Sequence, residues 1–302
     1  MTQAFAEPCS RGIITAQPCP REIGREIPRQ HRRMVLAACV LASSMAFIDG
    51  SALTVALPRL RTDLHADFAS LQWVLNAYAL ALASLALIGG ALADVHGKAR
   101  MLGIGCILFG LGSAAYALAA SIDWLIAARG VQGVGAAVVT PSSLALIGAT
   151  FPRDERNRAI GVWAAASSLT TAGGPVLGGW LIDTFGWPAI FWINPPLAII
   201  AVATLARFAP EDRRGPRRFD IVGAAILAAA LGALAWALSQ IGDAEPSAPV
   251  ASSVSSGTIV AVVCLGVAGV VGYVWWERVS RHPMTPPQPS RSADRSWGRT
   301  AW

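Results

Sequence analysis

Residues 124–137, WLIAARGVQGVGAA, decide how this chain is read. They belong to a long apolar run, yet Arg129 sits inside it. An arginine at membrane depth costs about 2.5–3.5 kcal/mol on insertion scales. It persists there only if it faces a cavity or finds an acid. Gly130, Gly133 and Gly135 follow, and small side chains let neighbouring helix backbones approach closely. The stretch predicts a tightly packed membrane helix that carries one buried positive charge.

The rest of the chain agrees. Of its 302 residues, 54% are hydrophobic and only 14% charged, where a soluble globular chain has roughly 25%. The formal net charge of +6 raises the question of nucleic acid. The basic residues, however, recur between apolar runs instead of gathering on one face. Cytoplasmic loops of membrane proteins behave that way. The expected partner is therefore a lipid bilayer and not nucleic acid.

Crossing the hydrocarbon takes roughly 20 apolar residues. On that ruler the chain holds eight helices, at 34–57, 71–93, 101–120, 124–147, 159–182, 189–208, 221–241 and 258–276. The expected class is all-α: a polytopic membrane bundle with a six-helix unit at 34–208 and two further transmembrane helices in 221–276. Residues 1–33, broken by prolines and basic, read as a disordered cytoplasmic tail, with Met34 as an alternative start. Residues 209–220 read as a charged cytoplasmic linker. Residues 277–302 read as a cytoplasmic tail of aberrant sequence with no ninth helix. Trp73, Trp124, Trp187, Trp192, Trp275 and Trp276 fall near run ends, where amphipathic rings favour the interface.

All of the 24 Lys and Arg except Arg59, Arg61 and Arg129 fall in the two tails, the 98–100 and 153–158 connections and the 207–218 segment. The positive-inside rule then puts both termini in the cytoplasm of a multi-pass protein of the plasma membrane. Asp49 is the only carboxylate well inside a run. By helical rise it lies about 12 Å from the outer end of the first predicted helix, and Arg129 about 8 Å from that of the fourth. The expectation is that they interact, directly or through water. Burial favours a neutral acid and a nearby guanidinium favours a charged one. A change of wetting, or an arriving cation, would then move a proton. The alternative is a static pair that holds the first and fourth helices together.

Other chemistry is poorly supplied. Cys9, Cys19, Cys39, Cys106 and Cys264 show no metal-ligand spacing, so they read as buried hydrophobes or free tail thiols. His31, His65, His96 and His282 lie outside the apolar runs. One buried acid does not make a proteolytic carboxylate pair. No glycine-rich phosphate loop ending in Gly-Lys-Ser/Thr occurs, which argues against ATP drive. Neither an enzyme nor a metal or cofactor is expected; the energy source expected is a proton gradient.

Five stretches carry a resemblance. Residues 90–102, GALADVHGKARML, resemble the helix two–three loop signature of the major facilitator superfamily, through Gly90, Asp94, Gly97, Lys98 and Arg100. The resemblance implies a conformational latch loop, weakened here because Val95 replaces the usual arginine. Helix four resembles the family's second signature through Leu125, Arg129, Gln132, Gly133, Gly135, Ala136 and Ala137. That likeness implies proton coupling at Arg129, with Gln132 beside it. Residues 161–179 resemble the antiporter signature, with Gly174, Pro175, Gly178 and Gly179 at its end and Ala164, Ser168 and Thr170 in place of glycines. The implied bend opposes leak and suggests outward antiport. Residues 48–58, IDGSALTVALP, with Asp49 and Pro58, resemble the first-helix signature of the drug:proton antiporters. The segment FGWPAIFWINPP at 185–196 resembles the fourteen-helix (EmrB/QacA-type) branch.

The likeness runs over about residues 34–284. It implies a secondary transporter for proton-coupled efflux of small lipophilic, in part cationic, compounds by alternating access. Its partners would be the bilayer, a small-molecule substrate and protons. A complete member of that branch has fourteen helices, so the chain reads as C-terminally truncated. Two alternatives stay open: an inactive fragment of such a transporter, and a metabolite facilitator on the same fold. Ala81, Ala83, Leu85, Trp163 and Ser167 are candidates for a cavity lining and equally for plain packing.

Overall fold

A computed structural model describes residues 27–210, 220–242 and 256–279. Residues 1–26 and 280–302 of the expected tails and 211–219 of the charged linker lie outside these residues. Residues 29–33, expected as disordered tail, instead open the first helix, and 277–279 close the last one, because each continues the helical hydrogen-bonding of the apolar run beside it. All regular structure among the described residues is helical. In chain order the helices are α1 (Arg29–Asp63), α2 (Phe68–His96), α3 (Lys98–Ala117), α4 (Ile122–Thr150), α5 (Arg153–Phe185), α6 (Pro188–Trp192), α7 (Asn194–Phe208), α8 (Ile221–Gly242) and α9 (Ser256–Val279).

Most of the helices run past the ends of the apolar runs, although α3 stops at Ala117, short of the expected 120. Local chemistry sets the new limits. Asp67 caps α2, its side chain accepting the Ser70 N–H at 3.0 Å. Ser121 does the same for α4, accepting from Trp124 N at 3.4 Å. Between α2 and α3 the chain turns on one residue, Gly97, at φ 104°, a backbone angle that glycine adopts without the Cβ penalty. The first helix was expected to stop before Pro58, but α1 continues through it to Asp63. Proline removes one helical hydrogen bond. Burial of Leu60, fully inside the bundle, holds the next turn in place.

Among the described residues seven spans are long and apolar enough to cross a membrane: α1, α2, α3, α4, α6 and α7 taken together, and most of α8 and α9. The eighth expected crossing is α5. It is 33 residues long and packs along α1, but Ser, Thr and Gly dilute its hydropathy. The expected 189–208 helix is broken at Ile193, just before Pro195 and Pro196.

Within the bundle α4 packs on α2 and α3, α1 on α5, and α7 on α1 and α3. The helix pair α8–α9 attaches through α8 to α2. The core has two large apolar clusters. One contains Met45, Ala46, Phe109, Ala136 and Ala198. The other contains Ala52, Leu53, Tyr116, Leu125, Ala128 and Phe191. On each of α1, α3, α4 and α6–α7 the two clusters leave a gap of several residues. Asp49, Ser113, Arg129, Gln132 and Asn194 fill those gaps. The bundle is thus two apolar slabs with one polar layer between them.

Of the tryptophans expected at the interface, Trp73, Trp124, Trp192 and Trp275 are exposed, but Trp187 is buried against Tyr116. Cys39 and Cys106 are buried free thiols, and Cys264 is an exposed one.

Candidate functional site

Arg129 and Asp49 form an ion pair, Arg129 Nη1 donating to Asp49 Oδ2. Their side chains are 1% and 0% exposed, so the pair faces no open cavity. The expected distances from the outer helix ends came from shorter helices. Counted to the observed ends at Asp63 and Ile122, the pair lies deeper in the bundle.

Gln132 closes a triangle. It accepts from Arg129 Nη1 at 3.0 Å through Oε1 and donates Nε2 to Asp49 Oδ1 at 3.1 Å. Positions 129 and 132 share a helix face, which is why one arginine and one amide reach the same carboxylate. Gly112 of α3 makes room: a Cβ there would stand 2.8 Å from Gln132 Cγ.

Two further donors, Asn194 and Ser113, and three rings were not singled out from the sequence. Asn194 Nδ2 donates to Asp49 Oδ1 at 3.2 Å and to Ser113 Oγ at 2.8 Å. Ser113 Oγ donates on to the Phe191 carbonyl at 2.9 Å. Asn194 opens α7 just after the break, so the Pro195–Pro196 interruption is what aims it inward. Its signal was present as an amide inside the FWINPP segment, but nothing in the spacing pointed to Asp49. The Arg129 guanidinium carbon lies 5.1 Å from the Tyr78 ring centroid, 5.3 Å from Tyr116 and 5.9 Å from Phe191. Each face attracts a cation, by up to about 2 kcal/mol when desolvated. Arg129 Nε and the Tyr116 hydroxyl have no protein partner.

A buried ion pair is held only where hydrogen bonds satisfy its remaining atoms; otherwise desolvation exceeds the attraction. Here Asp49 receives three donors on its two oxygens.

The other expected residues lie apart from this cluster. In the 90–100 turn, Asp94 pairs with Lys98 at 3.3 Å while half exposed. Gly97 is the turn itself, Arg100 is exposed, and Gly90 packs near Pro141, where a Cβ would lie 3.5 Å from that ring. On α5, Gly174 and Gly178 are buried against α1. A Cβ on Gly174 would overlap the Ser51 hydroxyl, and one on Gly178 would stand 2.9 Å from the Ala52 Cβ. Pro175 points outward and is exposed, and Gly179 is only partly covered. The four residues thus split into a contact pair one turn apart and an outer pair.

Gly133 and Gly135 of α4 touch α2 and α3, as expected, but Gly130 has open space beside it. Among the cavity candidates, Ala81 packs on Gly133, and Trp163 donates Nε1 to Ser43 Oγ at 3.0 Å. Ser43 donates to Ser143 at 3.2 Å, a second polar link between α1, α4 and α5. No group of three His, Cys, Asp or Glu among the described residues is arranged to hold a metal.

Residues 39–285 match the sequence profile of the Major Facilitator Superfamily. The chain is 40% identical over 253 residues to the multidrug resistance protein Stp of Mycobacterium tuberculosis (strain CDC 1551 / Oshkosh), covering 83% of this chain and 46% of that protein. It is 35% identical over 205 residues to the tetracenomycin C resistance and export protein of Streptomyces glaucescens, covering 67% of this chain and 38% of that one. The chain thus spans about half or less of the length of these relatives. Its fold is similar to the crystal structure of a bacterial homologue of the human lysosomal transporter Spinster. That match has a TM-score of 0.53 at 20% identity, over 82% of this chain and 62% of the other.

Proposed function

The chain belongs to the Major Facilitator Superfamily, and on that premise we propose that it serves proton-coupled export of small lipophilic compounds, cations among them, by alternating access. It is a multi-pass membrane protein of a transporter family, not an enzyme. The resistance names of its relatives support the substrate class. The distribution of Lys and Arg supports cytoplasmic termini and a plasma-membrane location.

One observation carries the proton reading: a fully buried carboxylate holding three donors, one of them a buried arginine. Charged, Asp49 ties α1 to α4 through Arg129 and Gln132, and to α7 through Asn194. Protonated, it releases Arg129 to the three ring faces and to Gln132. Two arrangements of one layer, differing by one proton, are what alternating access needs. A proton entering from outside and leaving inside, exchanged for one outbound monovalent cation, moves no net charge. In the same reading the Gly90–Arg100 turn acts as the latch. The α5 segment from Gly174 to Gly179 keeps α1 and α5 sealed.

The test is ethidium efflux from cells expressing the full chain, wild type or Asp49→Asn, with and without an uncoupler. A fourteen-helix version is run beside it. The expected result is uncoupler-sensitive efflux that Asp49→Asn abolishes. Efflux untouched by that substitution would defeat the proton role. Efflux by the longer version alone would make this chain an inert fragment.

A further inference from the structure

Away from the Asp49 layer, α1 and α5 begin side by side. Both open on prolines, Pro28 and Pro152, and neither has a side chain capping its first turn. Free N–H groups at a helix start carry partial positive charge and favour anions. Between the two starts lies a pocket of about 430 Å³. Its rim holds Arg29, Arg32, Arg33 and Arg158 against one acid, Glu155, a formal surplus of three positive charges.

Only Arg32 is matched, donating Nη1 to Glu155 at 2.9 Å. Among the described residues Arg29, Arg33 and Arg158 pair with no carboxylate. Arg32 Nε on α1 is buried without a protein partner, as is Arg156 Nε at the start of α5, outside the pocket lining. Immediately beyond the rim the lining turns apolar, at Leu36, Ala159 and Val162, and Val162 is 47% exposed.

We propose that this pocket binds the phosphate-bearing headgroup of an anionic phospholipid. Guanidinium groups match phosphate oxygens as paired donors. Basic pockets between transmembrane helices bind anionic headgroups in this way. The change from arginines to Leu36 and Val162 within one or two helical turns follows the change from headgroup to acyl chain. That succession favours a lipid over a soluble phosphate, which would find no use for the apolar floor. The inference rests on the membrane reading of the chain but not on transport or on Asp49.

The full chain, purified in mild detergent, is titrated with phosphatidylglycerol and with phosphatidylcholine, and bound lipid is read by native mass spectrometry. Phosphatidylglycerol is expected to bind at an about tenfold or more lower concentration. The Arg33→Gln/Arg158→Gln double variant loses that preference, whereas Arg100→Gln/Arg278→Gln, of equal charge, keeps it. Glu155→Gln removes the competing acid and tightens binding, an outcome that a misfolded double variant does not affect. Equal loss in both double variants would show mere attraction to a basic surface and overturn the site. Release of the lipid by millimolar inorganic phosphate would overturn the lipid assignment in favour of a soluble anion.

Discussion

Asp49 and Arg129 are the residues whose removal should cost most. Breaking a buried pair leaves one uncompensated charge, at about 3–5 kcal/mol, while removing both members costs much less. Asp49→Asn is therefore expected to lower the thermal unfolding temperature of the purified chain well below that of Asp49→Asn/Arg129→Gln. Equal losses in the single and double variants would mean that the pair stores little of the stability. Asn194 makes a finer case. Asn194→Leu keeps the bulk but removes a donor shared by Asp49 and Ser113. A buried acceptor left short of a partner costs about 1–3 kcal/mol. The same unfolding measurement reads it, and a change under a few tenths of that would demote the contact. The ion pair was legible in the sequence because a charge in an apolar run is conspicuous. Asn194 was not, because an amide at a helix start has many ordinary uses.

At the scale of the element, glycines separate by the face they occupy. Gly178 touches Ala52, while Gly173, five residues before it, has open space where its Cβ would go. Overpacking a tight contact costs about 1–3 kcal/mol. Replacing an unstrained helical glycine by alanine gains about 0.5–1 kcal/mol. Gly178→Val is expected to destabilise the α1–α5 contact and Gly173→Ala to be neutral or stabilising, both read by thermal unfolding. Helix starts behave by charge. At the head of α2, hydrogen bonds from Ser70, its side chain first and then its backbone N–H, hold the Asp67 carboxyl below its ordinary range. Its folded value is depressed, so its contribution is present above the unfolded pKa near about 4 and fades as pH falls through the lower folded value. Protection of the Ser70 amide, its exchange measured against the intrinsic rate at the same pH, should fall on that acid side only, and Asp67→Asn should flatten the dependence. Helix existence was legible from apolar run length. Helix ends were not, because Pro58 is tolerated only where Leu60 finds a buried seat.

For the whole molecule the prediction is sidedness. The turn at Gly97 and the start of α5 should face the cytoplasm, with Asp63 and Ser121 outside. Cysteines introduced at Asp63 and Ser121 are expected to react with an impermeant maleimide in intact cells. Cysteines at Lys98 and Asp154 should react only after permeabilisation. The reverse pattern would invert the topology. By itself, the sequence determined the all-helical class, the membrane crossings and the presence of two ions in oil, because apolar run length and a charge within it are local properties. Only the tertiary structure decided that these ions, 80 residues apart, meet in one layer with Asn194 and three rings, and which glycines touch a neighbour. Those facts depend on how each helix is rotated about its axis, and rotation is settled by packing between segments distant in the chain.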